Sequence, residues 1–233
     1  KLSIIIPAYN EEKVIKKTIK AYLQYFSKKE INLEIIVVLN GCIDNTKEIL
    51  EGLKEKKLTI INLKKTGKGI AIINGFKKAL KRDSYLIGFI DADMSTSPKE
   101  FHKLIKNIGD SSGIIASRYL KKSKVNPKQS PLRIIFSRVF NLIIRIFFSL
   151  KYSDTQCGAK IFKKEALKEI IPRIKTIGFL IDIDILYNLK KKGYKIREFP
   201  TVWENREDSS ISLKKHWKEI INSLLKIRFN LRE

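Results

Sequence analysis

One stretch decides the fold of this chain: Ile87-Gly88-Phe89-Ile90-Asp91-Ala92-Asp93-Met94-Ser95. The apolar run from residue 85 to residue 90 predicts a buried strand, and two aspartates spaced two positions apart follow it directly. In open α/β sheets, ligands bind in the crevice outside the carboxyl ends of the strands. Two carboxylates there suit Mg²⁺ or Mn²⁺ and, through the metal, a diphosphate. Because Asp-x-Asp alone is a weak signal, two solvated loop aspartates are the alternative.

Short apolar runs alternate with amphipathic segments on both sides of this stretch. The alternation predicts an α/β fold with a doubly wound, mostly parallel sheet flanked by helices. The predicted strands cover residues 2–6, 34–39, 58–63, 85–90, 112–117 and 194–203, with a short strand near residue 161. The first predicted helix follows Asn10, which can cap it, and runs to residue 26. The other predicted helices cover 46–56, 70–81, 98–109, 132–150, 163–170, 181–192 and 213–231.

Composition bounds the class of protein and the kind of partner. The chain has 233 residues, 43% of them hydrophobic, enough for one large domain with a substantial core. Its 48 Lys and Arg against 24 Asp and Glu give a net charge of +24, which indicates a phosphate-rich ligand, an anionic membrane or nucleic acid. Residues 111–153 carry nine basic residues and no acidic one. Cys42 and Cys157 lack metal-ligand spacing, so we expect reduced thiols in a cytosolic setting.

Two amphipathic helices shape the predicted domain organisation, with one domain over residues 1–211, which includes the helix at 132–150, and a C-terminal helix at 212–233. The helix at 132–150 gathers its polar side chains within about 160°, which leaves a wholly apolar arc; they are Arg133, Ser137, Arg138, Asn141, Arg145 and Ser149. A core helix with a solvated stripe and an interfacial helix on a bilayer explain this pattern about equally well. The basic, amphipathic last helix suits a membrane surface, with docking on the domain as the alternative.

Two further patterns concern membranes and phosphate. No uncharged apolar run reaches about 18 residues, so we expect no transmembrane helix, and because the chain opens directly on a strand we expect no signal peptide. The basic loop at 64–69 opens a helix, where backbone amides together with Lys68 can attract a phosphate group. Its Gly-Lys-Gly lacks the full P-loop pattern and is a weak signal alone.

Several motifs, taken in order, resemble glycosyltransferase family 2. They are Pro-Ala-Tyr-Asn-Glu-Glu at 7–12, Asn-Gly-Cys-Ile-Asp-Asn-Thr at 40–46, Gly-Lys-Gly at 67–69, Asp-Ala-Asp at 91–93 and Ser-Arg at 117–118. The second half resembles the polyprenyl-phosphate hexosyltransferases within that family, the dolichyl-phosphate mannose synthases and dolichyl-phosphate β-glucosyltransferases. The motifs there are Arg-Ile-Ile-Phe-Ser-Arg at 133–138, Asp-Thr-Gln-Cys-Gly-Ala-Lys-Ile-Phe at 154–162, Asp-Ile-Asp at 182–184 and Trp-Glu-Asn-Arg at 203–206. Together these motifs cover nearly the whole chain.

The resemblance implies a GT-A fold and an activity. The activity is inverting transfer of a hexose, glucose or mannose, from a UDP- or GDP-linked sugar to a polyprenyl or dolichyl phosphate. It also implies Mg²⁺ or Mn²⁺ as cofactor and a peripheral or monotopic enzyme at the cytoplasmic face of a membrane, with no nucleic-acid partner. The choice of hexose, nucleotide, lipid length and oligomeric state stays open.

The resemblance also assigns roles by position. Nucleotide-sugar contacts fall to Pro7, Ala8, Tyr9, Glu11, Asn40, Asp44, Lys68, Asp91 and Ala92. Asp91 and Asp93 would hold the metal with Ser95 beside them, and Arg118, Arg133, Ser137, Arg138 and Arg206 would contact the acceptor phosphate. The implied catalytic set is Asp93, Asp154, Arg118 and Arg206. Leu39-Asn40-Gly41-Cys42 stands where the family often has Asp-Asp-Gly-Ser, a departure that concerns base recognition.

Elementary chemistry agrees with a phosphate acceptor. A phosphate monoester has a second pKa of about 6, so at neutral pH it is largely a nucleophilic dianion. It needs cationic positioning more than a general base, and arginine offers forked contacts. Asp154 can orient an arginine or the sugar, or merely cap a turn. Two other functions stay open: transfer to a glycan or lipid glycoside, and a non-enzymatic basic module, which explains the charge but not Asp91 and Asp93.

Overall fold

A computed structural model describes residues 1–205 and 213–229, with side chains for all of these except 213–219. The strands in these ranges are β1 (Leu2–Ala8), β2 (Leu33–Asn40), β3 (Leu58–Leu63), β4 (Leu86–Phe89), β5 (Gly113–Ser117), β6 (Lys124–Asn126), β7 (Lys160–Lys163), β8 (Ile196–Pro200) and β9 (Val202–Glu204). The helices are α1 (Ile15–Ser27), α2 (Thr46–Glu51), α3 (Lys68–Leu80), α4 (Pro98–Asn107), α5 (Pro131–Phe148), α6 (Lys164–Ile170), α7 (Ile181–Lys191) and α8 (Leu213–Phe229).

Seven of the strands form one mostly parallel sheet in the order β3-β2-β1-β4-β7-β5-β8. Only β7 runs antiparallel to its neighbours there, and it lies between β4 and β5. The strand that carries the two aspartates is therefore central, as a buried apolar run requires. The predicted α/β class and the doubly wound, mostly parallel sheet are confirmed.

Helices cover both faces of this sheet, and alternate strand residues supply the two cores. On β1, Ile4 and Ile6 pack in the core below α1 and α4, whereas Ile5 packs in the core below α3, α6 and α7. This is the period of two that a strand imposes on its side chains. Because β1, β2 and β4 run parallel, their carboxyl ends lie along one rim of the sheet, where the loops that follow them meet.

Some predicted boundaries are wrong. The strand predicted over 194–203 is divided at Thr201 into β8 and β9, and β9 pairs with β6, which lies in a segment predicted to be a loop. The helix predicted from Asn10 begins only at Ile15. Asn10 instead has a positive φ of 54°, a conformation that asparagine tolerates, and its Oδ1 accepts a hydrogen bond from the Ile43 amide at 2.9 Å. It ties two loops together rather than capping a helix.

Helix α5 turns most of its apolar arc away from the domain. Asn141 of its polar stripe is buried, and Ile144 and Phe148 pack with Leu224 and Ile227 of α8 in a third apolar cluster. Most of its apolar arc is exposed: Leu132, Ile135, Phe136, Val139, Leu142, Ile143 and Ile146. The alternative of a core helix with a solvated stripe is therefore wrong. Neither α5 nor any other helix in the described ranges has the length and apolarity that crossing a membrane requires.

Candidate active site

An open pocket of about 770 Å³ lies at the carboxyl ends of β1, β2 and β4. This is the crevice where the sequence places the two aspartates. Most of the predicted site residues line it: Pro7, Ala8, Tyr9, Glu11, Asn40, Lys68, Asp91, Ala92, Asp93, Ser95, Arg118 and Arg133. The sequence therefore predicts where the pocket lies, and the roles assigned to these residues remain predictions.

The two aspartates differ in their surroundings. Asp91 accepts a hydrogen bond from Lys68 Nζ at 2.7 Å, whereas Asp93 accepts from the Ser95 amide at 2.9 Å and from Ser95 Oγ at 2.7 Å. Burial raises the pKa of Asp93, and the charge of Asp91 raises it further. Burial alone would also raise the pKa of Asp91, but Lys68 outweighs it and lowers that pKa. Asp91 is thus the carboxylate that already has a cationic partner.

Glycine allows the close approach that seats Asp91. A Cβ atom added at Gly158 would lie 1.8 Å from Asp91 Oδ2, so only glycine leaves room for this carboxylate. The loop that carries Lys68 is held in a similar way, because a Cβ at Gly69 would lie 2.5 Å from the Thr176 carbonyl oxygen. The backbone therefore packs closely against the site at two glycines, Gly158 and Gly69.

Several of the residues assigned to the nucleotide sugar lie along the rim that follows β1 and β2. Glu11 faces the aspartates, and its pKa is raised to about 7 by burial and then by the charges of Asp93, Asp91 and Asp44. Asp44 itself does not line the pocket. Its carboxylate accepts from the Glu12 amide at 3.1 Å and from Thr46 Oγ1 at 2.6 Å, so it joins the two loops that carry this rim.

Arg118 is fixed in the pocket wall by Asp154. The carboxylate accepts from Arg118 Nε at 2.7 Å, from Nη2 at 2.9 Å and from the Arg118 amide at 3.0 Å. Burial would raise the pKa of Asp154, but the arginine lowers it. Trp203 lies 5.3 Å from the guanidinium carbon, and Glu198 accepts from the backbone amides of residues 153 and 154. Of the alternatives for Asp154, the geometry favours orienting an arginine.

The remaining predicted acceptor residues are divided. Arg133, in the first turn of α5, lines the pocket. Ser137 accepts a hydrogen bond from the Tyr119 hydroxyl at 2.7 Å, and Arg138 lies 4.9 Å from the Tyr119 ring, and neither lines the pocket. Arg206 lies outside the described residues. The arginines at the pocket among those described are therefore Arg118 and Arg133.

The pocket residues without a predicted role include four from the second half of the chain: Gln156, Phe179, Asp182 and Trp203. Asp182 accepts a hydrogen bond at 2.5 Å from Nζ of Lys160, which is fully buried. The motifs at 154–162, 182–184 and 203–206 contain three of the four residues and were the signal available for them. Phe179 lies just before α7, in a segment that matches none of the quoted motifs.

The donor set fits a hard divalent cation that is completed by a substrate. No cluster of three or more His, Cys, Asp or Glu side chains occurs in residues 1–205 and 213–229. Asp91 and Asp93 would supply two carboxylates, and Mg²⁺ is commonly held by one or two carboxylates plus substrate phosphates and water. The pocket extends beyond both aspartates toward Arg118, which leaves space for such a substrate.

Comparisons with known proteins agree with this geometry. Residues 3–171 match the family model for glycosyl transferase family 2. Dolichyl-phosphate beta-glucosyltransferase from Dictyostelium discoideum is 30% identical over 247 residues, which cover 98% of this chain and 74% of that protein. Glycosyltransferase AglD from Haloferax volcanii is 27% identical over 220 residues, and the match covers 91% of this chain but 34% of that protein.

A solved structure shows the same fold. Glucosyl-3-phosphoglycerate synthase from Mycobacterium tuberculosis, crystallised with Mn²⁺, uridine-diphosphate-glucose and phosphoglyceric acid, superposes with a TM-score of 0.72 over 100% of this chain and 81% of that chain. The two sequences are 13% identical. The likeness confirms the predicted GT-A type of architecture.

Proposed function

This chain belongs to glycosyltransferase family 2, and from that membership we propose that it transfers a hexose from a nucleotide sugar to a polyprenyl or dolichyl phosphate, with inversion at the anomeric carbon. The hexose is glucose or mannose, and the donor carries UDP or GDP. The relative from Dictyostelium discoideum is named for transfer to dolichyl phosphate, which supports this acceptor class.

One observation carries the proposal: paired carboxylates and two arginines line the same pocket. Asp91 and Asp93 are on one side of it, and Arg118 and Arg133 complete its lining. A donor diphosphate suits the carboxylates through a cation, while an acceptor phosphate suits the arginines, which bind phosphate oxygens in a forked geometry. A reaction between two phosphate-bearing substrates needs both kinds of group in one place.

In the proposed reaction, an oxygen of the acceptor phosphate forms a bond to the anomeric carbon. The bond between that carbon and the diphosphate oxygen breaks, and the nucleoside diphosphate leaves with the electron pair. Attack from the face opposite the leaving group inverts the configuration. The acceptor is largely a dianion above its second pKa of about 6, so no side chain has to remove a proton from it.

Asp91 and Asp93 would hold a Mg²⁺ or Mn²⁺ ion, and Ser95 would orient Asp93. When bound, such an ion offsets the negative charge of the leaving diphosphate as a Lewis acid. Arg118 binds and orients phosphate with little loss of entropy because Asp154 and Trp203 already hold its guanidinium group. Preorganisation of this kind reduces the cost of ordering a side chain in the transition state.

A polyprenyl chain remains in the bilayer, so the pocket must open at headgroup level. Helix α5 meets this requirement, since Arg133 lies at its start and its outward arc is apolar. Ile221, Leu225 and Phe229 of α8 are exposed as well. We therefore propose that α5 and α8 lie on the cytoplasmic face of a membrane, where basic residues near anionic lipid add about 1 kcal/mol each.

The reaction is tested with a panel of radiolabelled UDP- and GDP-sugars and a short polyprenyl phosphate, with the unphosphorylated polyprenol as the matched acceptor control. Asp93→Ala should lower turnover at least about 100-fold, as expected for loss of a Lewis acid. Arg133→Ala should raise the KM for lipid phosphate about 10- to 100-fold, the value of one charge-assisted bond, and leave the KM for nucleotide sugar unchanged. Lys128→Ala, an exposed basic residue outside the pocket, is the control. Transfer to polyprenol at the same rate would contradict the phosphate acceptor.

Vesicle flotation tests the membrane surface. Phe136 and Ile146 on α5 are 54% and 73% exposed, and Tyr85, at the opposite end of β4 from the aspartates, is 57% exposed. Phe136→Asp with Ile146→Asp should remove most binding to anionic vesicles, because apolar burial is lost and anionic lipid repels the two added carboxylates. Tyr85→Asp should float like the wild type. If the double variant floats equally well, α5 does not contact the bilayer.

A further inference from the structure

Lys68 forms an ion pair with Asp91, one of the two carboxylates that would bind a divalent cation. Its Nζ lies 2.7 Å from Asp91 Oδ1, and the two side chains are only 21% and 29% exposed. An ammonium group at this distance compensates the charge of the carboxylate and uses one of its oxygens as a hydrogen-bond acceptor. A divalent cation that binds Asp91 must therefore compete with Lys68.

The backbone that carries Lys68 is fixed, so only the side chain can respond. Lys68 is the first residue of α3, and the Ile70 amide donates to the Ile177 carbonyl at 3.1 Å. Gly67, with a φ of 142°, and Gly69 pack directly against the segment at 176–177. A lysine on such an anchor can swing its ammonium group about its four-carbon stem without moving the helix.

The other cations near Asp91 already have anionic partners. Asp93 and Asp182 add negative charge on the same side, and Lys160 and Arg118 are the other cations near Asp91. Lys160 is committed to Asp182, and Arg118 to Asp154. Once a cation takes Asp91, the nearest new anion for the ammonium group of Lys68 would be the diphosphate that arrives with it.

We propose that Lys68 is an exchangeable counter-ion, paired with Asp91 when no cation is bound and transferred to the donor diphosphate when a divalent cation takes its place. This inference rests on the proposed function, because it assumes a cation at Asp91 and Asp93. Its consequence is energetic coupling: the cation binds weakly alone and more tightly with the diphosphate, and by linkage each raises the affinity for the other. This coupling distinguishes the proposed exchange from a role in which Lys68 only attracts phosphate, because simple attraction would not weaken binding of the cation alone.

The test measures Mn²⁺ binding from the electron paramagnetic resonance signal of free Mn²⁺, with no sugar transfer involved. Lys68→Met should bind Mn²⁺ about 10-fold tighter than the wild type without nucleotide, since a competing charge-assisted bond is removed. Adding UDP or, separately, GDP should strengthen Mn²⁺ binding in the wild type and much less in Lys68→Met. Lys68→Arg, which keeps the charge, should resemble the wild type.

Lys65→Met is the matched control, because Lys65 is an exposed lysine of the same loop outside the pocket. It removes the same net charge and should leave Mn²⁺ affinity unchanged. If Lys68→Met binds Mn²⁺ no tighter than Lys65→Met, the counter-ion role is wrong, while the metal site stands. If the wild type binds no Mn²⁺ even with both diphosphates, the metal site itself is wrong and the exchange fails with it. Should Lys68→Met not fold, Lys68→Gln carries the same comparison.

Discussion

Replacing Asp154 with asparagine should lower the free energy of unfolding by about 3 kcal/mol, the lower end of the cost of breaking a buried ion pair. The side chains of Arg118 and Asp154 are 12% and 2% exposed, so the guanidinium group loses its counter-charge where water cannot replace it. Asparagine keeps one acceptor oxygen, which is why the lower end applies. Because a domain is typically stable by about 5–15 kcal/mol, the loss is large and measurable.

Urea unfolding at pH 7 provides the measurement, and a surface ion pair provides the control. Lys47 and Glu51 lie one turn apart on α2, with 3.7 Å between Lys47 Nζ and Glu51 Oε1, and both side chains are exposed. Glu51→Gln should cost less than about 1 kcal/mol, as exposed pairs do. If Asp154→Asn and Glu51→Gln destabilise equally, the Arg118–Asp154 pair does not hold the pocket wall together.

The pH dependence of the Asp154→Asn effect has a defined sign. Burial alone would raise the pKa of Asp154, but Arg118 lowers it in the folded state. The stability that this carboxylate contributes is therefore fully present above its unfolded pKa of about 3.9 and is lost as the pH falls through the folded pKa. The difference between wild type and variant should stay constant from pH 8 to pH 5 and shrink below about pH 4. A constant difference down to pH 2.5 would refute the ionic explanation.

Two further substitutions test neighbouring features of the pocket. Lys160→Met should destabilise the protein by about 3–5 kcal/mol, because Asp182 is left buried without its partner, and adding Asp182→Asn should recover part of that loss in urea unfolding; wild-type stability of the single variant would contradict the pair. Gly158→Ala should weaken Mn²⁺-dependent UDP or GDP binding about 10-fold in calorimetry, the value of one lost charge-assisted bond, because the new Cβ displaces Asp91. Gly178→Ala, whose Cβ would have no neighbour within 4 Å, should bind as the wild type does.

The sheet could be predicted because its signals are local. Each of the strands β1 to β4 is a short apolar run followed by a helix, and that repetition alone selects a doubly wound sheet. Strands β6 and β9 have three residues each, too few to establish a period, and their paired residues are 78 positions apart in the chain. The antiparallel direction of β7 depends in the same way on contacts with strands that are distant in sequence.

The position of the candidate site was predictable, and its internal connections were not. Asp91 and Arg118 follow β4 and β5 directly, so strand ends alone bring them to one rim. The pairing of Arg118 with Asp154 joins residues 36 positions apart, and that of Lys160 with Asp182 depends on how β7 packs against α7. Periodicity also divides α5 into a polar and an apolar face without stating which one meets the domain, and packing against α7 and α8 decides that.

That choice of face bears on how substrate and membrane are connected in the proposed arrangement. Arg133 lines the pocket within the first turn of α5, and the exposed apolar arc begins next to it at Leu132. A helix that buries such an arc in the interface lies about 5–10 Å into the headgroup and acyl boundary. Arg133 is then at the depth of the acceptor phosphate, while the polyprenyl chain continues into the bilayer beside the helix. With the opposite face outward, Arg133, which belongs to the polar stripe, would turn away from the pocket, and no apolar surface would hold the pocket mouth against the lipid. The inward position of Asn141 is therefore the packing feature that, in the proposed arrangement, turns the apolar arc of α5 toward the membrane and keeps Arg133 at the pocket.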